Sequence, residues 1–129
     1  MAAPGSYTYS AQALIDAQTS FLDLVDGGTG AGKIFLYSEA DLMLAEIPLN
    51  DPSGTVDGAG QLTITASGPD TSADAAGECT WGSICDGDDV EYLALPAQQG
   101  GAAVSGKLVI SNTTIALGAE VTLVSCTIG

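Results

Sequence analysis

Histidine and arginine are both absent from this sequence of 129 residues, and lysine occurs only at Lys33 and Lys107. Sixteen aspartates and glutamates outweigh these two cations, so the formal net charge at pH 7 is −14. Proteins that bind nucleic acid or an anionic membrane surface neutralise phosphates with clustered lysine and arginine. The composition therefore predicts neither kind of partner, and acidity of this degree is typical of a highly soluble surface.

The lack of histidine also restricts catalysis, because histidine is the usual base that activates a serine or cysteine nucleophile. Two carboxylates can do acid and base work on a glycoside. With 16 acidic residues scattered mainly through predicted loops, however, a solvated acidic surface explains them more simply. We therefore predict that the chain is not an enzyme and that it uses no cofactor.

Cysteine is scarce and follows no metal-binding pattern. Cys79, Cys85 and Cys126 are odd in number, lack the C-x-x-C spacing and have no histidine to complete a zinc site. We expect them to be reduced and to act as small apolar residues on strands. A bridge between Cys79 and Cys85 remains an open alternative, because a short loop between them would bring them within disulfide range.

Long apolar runs are missing as well. No segment approaches the roughly 18 consecutive apolar residues of a membrane span, and residues 1–10 contain neither a cationic region nor an apolar run. We expect the protein to remain where it is made. A chain of 129 residues suits one domain with one core, so residues 1–129 are predicted to form a single domain.

Residues 10–26 carry the one helical pattern. Ser10 is placed to cap the helix and Gly27 to end it, and a short arm at 1–9 precedes it. The apolar side chains of the segment fall on one arc of the helix: they are Leu14, Ile15, Phe21, Leu22 and Val25. This amphipathic helix is expected to pack against a larger β structure.

Beyond the helix, short apolar segments alternate with turn-forming stretches, which is the pattern of an all-β domain. The predicted strands are 33–38, 42–47, 61–66, 79–84, 90–95, 108–110 and 121–128, and the polar segments at 50–60, 67–77 and 98–105 are expected to be loops or connectors. The apolar phase changes between Leu123 and Val124, which predicts either a bulge or burial on both faces of the strand. The fold class is therefore mainly β: a β-sandwich or jelly-roll-like domain over 33–129 with one N-terminal amphipathic helix.

Residues 27–33, Gly-Gly-Thr-Gly-Ala-Gly-Lys, match the G-x4-G-K part of a phosphate-binding loop. A working phosphate loop runs from a strand into a helix and places Ser or Thr after its lysine. Here the loop leaves a helix and enters a strand, and Ile34 follows Lys33. The glycines are better explained as the helix end and a turn of the chain, so we predict no nucleotide binding.

Asp86-Gly87-Asp88-Asp89 places three carboxylates on one predicted turn between two strands. Carboxylate oxygens are calcium ligands, so Asp86, Asp88 and Asp89 are the calcium candidates, although they lack the spacing and the distal Glu of a calcium loop. Turn chemistry accounts for the Asp-Gly pair equally well, and no metal site is predicted. Trp81 and Tyr92, on the flanking strands, are candidates either for the core or for an interface.

Taken together, these segments resemble small virion proteins of tailed bacteriophages, of the kind that decorate capsids. The similarity spans most of the chain. It is carried by residues 30–37 (Gly-Ala-Gly-Lys-Ile-Phe-Leu-Tyr), 42–45 (Leu-Met-Leu-Ala), Asp51-Pro52, Trp81 before an Asp-Gly turn, 118–123 (Gly-Ala-Glu-Val-Thr-Leu) and 125–128 (Ser-Cys-Thr-Ile). The chain departs from the pattern where the link from Tyr37 to Leu42 is short and where no arginine follows Trp81.

The resemblance implies a capsid cement or decoration protein that is made in the cytoplasm of a host bacterium. Such a protein sits on the outside of the virion, as a trimer, and holds neighbouring major capsid subunits together. One alternative is a head-to-tail connector or a tail-associated protein of the same phage. An alternative of another class is a carbohydrate-binding or calcium-dependent adhesion module, in which Trp81 and Tyr92 stack on sugar.

Overall fold

A computed structural model describes residues 9–128 of the chain. The predicted arm at 1–9 therefore lies outside the described residues, apart from Tyr9. Within these residues there is one helix, α1, which spans Ala11–Asp26. The Ser10 side chain accepts a hydrogen bond from the Ala13 amide at 3.2 Å, and the Gly27 amide donates to the Leu24 carbonyl at 3.2 Å. The predicted helix and both of its caps are confirmed.

Eight strands follow the helix, and each of the seven predicted strands overlaps one of them. The strands are β1 (Lys33–Ser38), β2 (Met43–Val56), β3 (Leu62–Ala66), β4 (Gly77–Cys85), β5 (Glu91–Gln99), β6 (Lys107–Ile110), β7 (Thr114–Ile115) and β8 (Leu123–Ile128). β4 and β5 form the predicted hairpin around the Asp86 turn. The two-residue strand β7, which pairs with the start of β4, was not predicted.

The strands close on themselves. Their order is β1-β2-β3-β8-β6-β5-β4, and a further pairing between β1 and β4 completes a ring of seven strands, with β7 attached to β4. All neighbouring pairs are antiparallel except β5 with β6. The mainly β fold with one N-terminal helix is confirmed. The closed ring is a barrel, which is not clearly a sandwich or a jelly roll.

The core fills the inside of this barrel. Along β1, Ile34 and Leu36 are fully buried while Phe35 and Tyr37 are only partly so, because successive side chains of a strand point to opposite faces. The other large, fully buried side chains of the core come from the helix and from β2, β3, β4 and β6: they are Val25, Leu44, Ile47, Leu49, Leu62, Ile84, Leu108 and Ile110.

Helix α1 lies across one end of the barrel. The Gln18 side chain donates to the Ile128 carbonyl at 3.3 Å, and the Ser53 amide donates to Asp26 at 3.0 Å. Leu14 packs directly against Gly60, just before β3 begins. β3 starts and β8 finishes at this same end, so the apolar arc of the helix covers the barrel interior there.

The segment at 50–60 departs most from its prediction as a loop. β2 continues through Asp51 and Pro52 to Val56, and its register with β3 shifts between Leu49 and Gly54. An irregular strand of this kind accommodates turn-forming residues without breaking the sheet. The loop prediction is therefore wrong for 50–56, and only the stretch after Val56 forms a turn, which the Gly60 amide closes by donating to the Asp57 carbonyl at 3.1 Å.

The bulge predicted from the change of apolar phase in the last strand is confirmed. Ser125 pairs with Val109 and Leu123 pairs with Ile110, so Val124 is the extra residue. Its side chain is exposed, whereas Cys126 further along the strand is buried inside the barrel. The bulge thus changes which residues face inward partway along β8.

Candidate functional site

The outer surface of β1, β4 and β5 carries four aromatic side chains. Tyr37 pairs with Trp81, and Phe35 pairs with Ser83. Because Ile34 and Leu36 point into the barrel, their neighbours Phe35 and Tyr37 point outward. Trp81 lies on the same outer surface. Tyr92, which the register between β4 and β5 skips between Glu91 and Leu93, is exposed near the start of β5. We call the group Phe35, Tyr37, Trp81 and Tyr92 the aromatic face.

Two of these rings are held in fixed positions. Tyr37 and Trp81 stack with ring centroids 4.3 Å apart and an interplanar angle of 17°. The Trp81 indole N–H donates to the Ser38 carbonyl at 3.2 Å. The stack covers one side of the indole, and the hydrogen bond fixes its edge, so little side-chain entropy is left to lose when a partner binds.

Tyr92 is 36% exposed and joins the aromatic face to the acidic turn. Its hydroxyl donates to Asp86 at 3.2 Å. The pKa of the Tyr92 phenol is raised above its usual 10.0. Partial burial is the largest cause, and the hydrogen bond to Asp86 is the next largest. The phenol therefore stays protonated and keeps donating throughout the neutral pH range.

Asp86 organises the turn between β4 and β5. One of its carboxylate oxygens accepts from the amides of Asp88 at 2.9 Å and Val90 at 3.0 Å, and the other accepts from Tyr92. These hydrogen bonds, the one from Val90 first, hold the pKa of Asp86 below its usual 3.8. Asp86 is only 5% exposed, so its main role in the structure is to close the turn.

The acidic turn packs against the glycine-rich loop that leads into β1. The Thr29 amide donates to Asp88 at 3.1 Å, and Gly87 lies against the Thr29 carbonyl so closely that no side chain fits. The Lys33 ammonium contacts Asp89 at 2.6 Å and Glu46 at 3.4 Å. The hydrogen bond to Asp89 is the largest cause that raises the pKa of Lys33. The glycine-rich loop at 27–33 and the acidic turn at 86–89, both singled out in the sequence, are thus in direct contact.

This arrangement opposes phosphate binding at the glycine-rich loop. A phosphate loop offers free backbone amides and a free lysine to the anion. Here carboxylates already accept from the Thr29 amide and from Lys33. Their negative charge would also repel an incoming phosphate.

The three calcium candidates share one turn but point to different partners. Asp86 accepts from backbone amides and Tyr92, Asp88 from Thr29, and Asp89 pairs with Lys33. Among residues 9–128, no group of three or more His, Cys, Asp or Glu side chains is arranged to hold a metal ion. The turn is therefore organised by internal hydrogen bonds and one ion pair.

All three cysteines are free and buried. Cys79 and Cys85 lie on the same strand, β4. Six residues of extended chain separate them by about 20 Å, far beyond the reach of a disulfide. The alternative of a bridge between them is wrong, because the segment that joins them is a strand and not a loop.

Burial raises the pKa of Cys79 to about 11 and that of Cys126 to about 12, and it also raises that of Cys85. We predict that a thiol reagent such as Ellman's reagent, at pH 8, leaves the native protein almost unmodified and labels every cysteine in denaturant, because thiolates are the reactive species.

The same shifts make stability depend on alkaline pH. Above about pH 9 the unfolded chain ionises its thiols while the native chain keeps them protonated, so stability should fall as the pH rises from 9 toward 12. Replacing Cys126 by serine should weaken this dependence. Fast labelling of the native protein by the thiol reagent at pH 8 would contradict the burial and the raised pKa values of these thiols.

No family model, curated protein or solved structure matches this chain. Among the described residues, no helix has the length and apolarity needed to cross a membrane. Sequence reasoning singled out Trp81 and Tyr92 but missed Phe35 and Tyr37, although their alternation with Ile34 and Leu36 was a signal for an outward aromatic row.

Proposed function

We propose that this chain is a non-enzymatic structural protein of a tailed-phage virion, a capsid cement or decoration protein. On this proposal it is a trimer that binds the outside of the major capsid protein shell and stabilises contacts between neighbouring subunits. The seven-strand barrel takes the place of the sandwich or jelly-roll-like domain that the resemblance implies. The observation that carries the proposal is the aromatic face.

The chemistry of that face suits protein docking. Tyrosine and tryptophan dominate the binding energy of many interfaces, because they bury a large area at small entropic cost. On this barrel Tyr37 and Trp81 lie side by side on paired strands, and their stack and the Trp81 hydrogen bond hold these two rings in place. A rigid patch of this kind needs little rearrangement to bind a partner.

The charge of the chain fits the same role. A formal charge of −14 disfavours nucleic acid, so the packaged genome is a poor partner and the outer shell is the better one. An acidic outer surface also keeps decorated particles from associating with one another. Repeated binding across a lattice lets modest individual contacts reinforce one another.

The proposal that the chain is not an enzyme is supported by the surroundings of Lys33 and of the three cysteines. Lys33 is paired with two carboxylates, which raises its pKa and removes it as a nucleophile. Burial raises the pKa of all three thiols, so they stay protonated at neutral pH. The protonated thiol is a poor nucleophile, because the thiolate is the reactive form. The sequence contains no histidine to serve as a general base.

The first experiment is the protein composition of purified particles of the phage that encodes the chain. A ratio to the major capsid protein near one to one supports a cement distributed over the whole shell. A few copies per particle would move the chain to the connector or the tail. Absence from particles would overturn the virion assignment, and binding to a glycan or calcium in a parallel screen would favour an adhesion module.

A second experiment tests the face itself, with shells that lack the protein and purified variants added back. We expect Trp81→Ala and Tyr92→Ala each to weaken binding by about thirtyfold or more, since central aromatic residues of an interface commonly contribute about 2 kcal/mol or more. Leu24→Ala is the control, because Leu24 is 50% exposed and lies on α1, not on the strands that carry the aromatic face.

Circular dichroism and thermal melting establish that each variant is folded before its binding is compared. Trp81→Ala removes the Tyr37 stack and lowers stability to some degree, whereas Tyr92→Ala leaves that stack intact. If folded Tyr92→Ala and Trp81→Ala both bind shells as well as Leu24→Ala does, the aromatic face is not the docking surface.

A further inference from the structure

Carboxylates border the aromatic face on two sides. Glu46 pairs with Phe35 across β1 and β2, so its side chain lies beside the Phe35 ring on the outer surface, and it is 43% exposed. On the other side, Asp86 accepts from the Tyr92 hydroxyl, and Glu91 is exposed next to Tyr92 on β5. Together with two further carboxylates of the acidic turn they form what we call the acidic border: Glu46, Asp86, Asp88, Asp89 and Glu91.

The charges of this border act on one region of the outer surface. Burial is the largest cause that raises the pKa of the Cys85 thiol, and the negative charges of Glu91, Asp89 and Asp86 raise it further. Cys85 pairs with Lys33, where β1 and β4 close the ring. The carboxylates therefore lie close enough together for their charges to add at this part of the surface.

Lys33 shows how a positive charge is held there. Its ammonium lies over the Phe35 ring, 5.7 Å from the ring centroid, and it contacts Asp89 at 2.6 Å and Glu46 at 3.4 Å. A cation within about 6 Å of an aromatic ring is attracted by the ring electrons. An aromatic ring and two carboxylates thus bind one cation together, and in this case the cation belongs to the chain itself.

One ammonium does not neutralise the acidic border. The other cation in the sequence, Lys107, begins β6, which β4 and β5 separate from β1 in the ring. An uncharged partner surface would strip water from the carboxylates without replacing its hydrogen bonds, which costs free energy. An acidic surface would be repelled. A basic surface is the kind that satisfies both the rings and the carboxylates.

We infer that the partner protein presents arginine side chains to the aromatic face and its acidic border. This inference rests on the proposed function and adds the chemistry of the partner surface. A guanidinium can stack on an aromatic ring and also donate two parallel hydrogen bonds to a carboxylate. Trp81 and Tyr92 supply rings, and the neighbouring carboxylates supply acceptors. Lysine would bring only a point charge, so arginine fits this surface better.

The test uses the purified full chain and a short peptide in which arginine alternates with glycine, without any capsid. NMR locates the peptide, and the indole N–H of Trp81 is a distinct reporter because it is the one tryptophan in the sequence. We expect the largest shifts on the aromatic face. The same peptide with citrulline, which keeps the planar side chain but has no charge, should bind at least about tenfold more weakly.

Two pairs of variants separate the face from the overall charge. Lys33→Gln should strengthen binding of the arginine peptide about two- to fivefold, because it releases Asp89 and Glu46 to pair with the peptide. Lys107→Gln makes the same change in net charge on β6 and should leave the affinity nearly unchanged. Glu46→Gln should weaken binding about two- to fivefold, whereas Asp16→Asn, on α1, should not.

Each variant is compared only after circular dichroism shows that it is folded, and the second pair decides the matter if Lys33→Gln does not fold. Equal binding of the arginine and citrulline peptides would overturn the inference. So would shifts spread over the whole acidic surface, or affinities that follow net charge alone, with Lys33→Gln equal to Lys107→Gln and Glu46→Gln equal to Asp16→Asn.

The results also separate this inference from the proposed function. If shells bind the chain through Trp81 but the arginine peptide does not bind the face, the docking surface stands and the arginine partner is wrong. If the peptide binds the face but the chain is absent from virus particles, the basic partner stands and the capsid assignment fails.

Discussion

Leu36→Ala should lower the free energy of unfolding by about 2–5 kcal/mol, the range for large-to-small changes in a packed core. Leu36 is fully buried and points into the barrel from β1, the strand whose pairing with β4 closes the ring. Truncation removes apolar contacts and leaves a cavity that strands fixed on both sides cannot collapse to fill. Because small domains are stable by only about 5–15 kcal/mol, the loss should be large in a urea or thermal titration.

The matched control is Leu117→Ala, since Leu117 is 72% exposed. The chemical change is the same, but few contacts are lost, so the free energy of unfolding should change by less than about 0.5 kcal/mol. Equal destabilisation by the two variants would show that β1 does not line the core as described.

Gly54→Ala should destabilise the protein by about 1–3 kcal/mol or more, as overpacking does. Gly54 lies in the irregular part of β2 opposite Ile64, and a methyl group there would overlap the Thr63 carbonyl oxygen. The obstacle is backbone, so it cannot rotate away as a flexible side chain would. The expected result is a lower urea midpoint and faster amide exchange along β3, since the two strands must move apart.

Gly58→Ala provides the control for this prediction. Gly58 lies in the turn between β2 and β3, and a methyl group there would meet nothing within 4 Å. The substitution reduces the freedom of the unfolded chain without a clash, so stability should stay the same or rise slightly, by less than about 1 kcal/mol. If Gly54→Ala were as harmless as Gly58→Ala, the close approach of β2 and β3 would be wrong.

Local patterns in the sequence were enough to place most elements. The helix at 10–26 was predictable with both caps, because Ser10, the apolar arc and Gly27 act within one or two turns. β1 was predictable to the residue, since Lys33–Ser38 lies between a glycine loop and a turn. The β4–β5 hairpin was predictable from the Asp-Gly turn between two apolar segments.

The predictions that failed did so because each depended on how strands form and pair across the sheet, which the local sequence does not show. The loop prediction at 50–56 failed because the turn-forming residues sit in a strand whose register shifts against β3, and register is a property of the pair of strands. β7 was missed because two residues carry too little pattern, and only pairing with β4 makes them a strand. The disulfide alternative failed because a strand separates Cys79 from Cys85.

The candidate site was predictable only in part, for the same reason. Trp81 and Tyr92 are conspicuous as large aromatics beside an acidic turn. Their neighbours Phe35 and Tyr37 lie more than 40 positions earlier in the chain, and the β1–β4 pairing that places Tyr37 on Trp81 is what closes the barrel. The contact of Lys33 with Asp89 likewise joins two motifs that are far apart in sequence.

The sequence by itself determined the acidity, the single helix with its ends, most of the strands and the exclusion of histidine-based chemistry, because composition and short-range periodicity act locally. Only the tertiary structure decided that the strands form a closed barrel and that four aromatic side chains share one outer face. These features depend on which strands pair and in what register, which is set by long-range packing and closure of the whole ring.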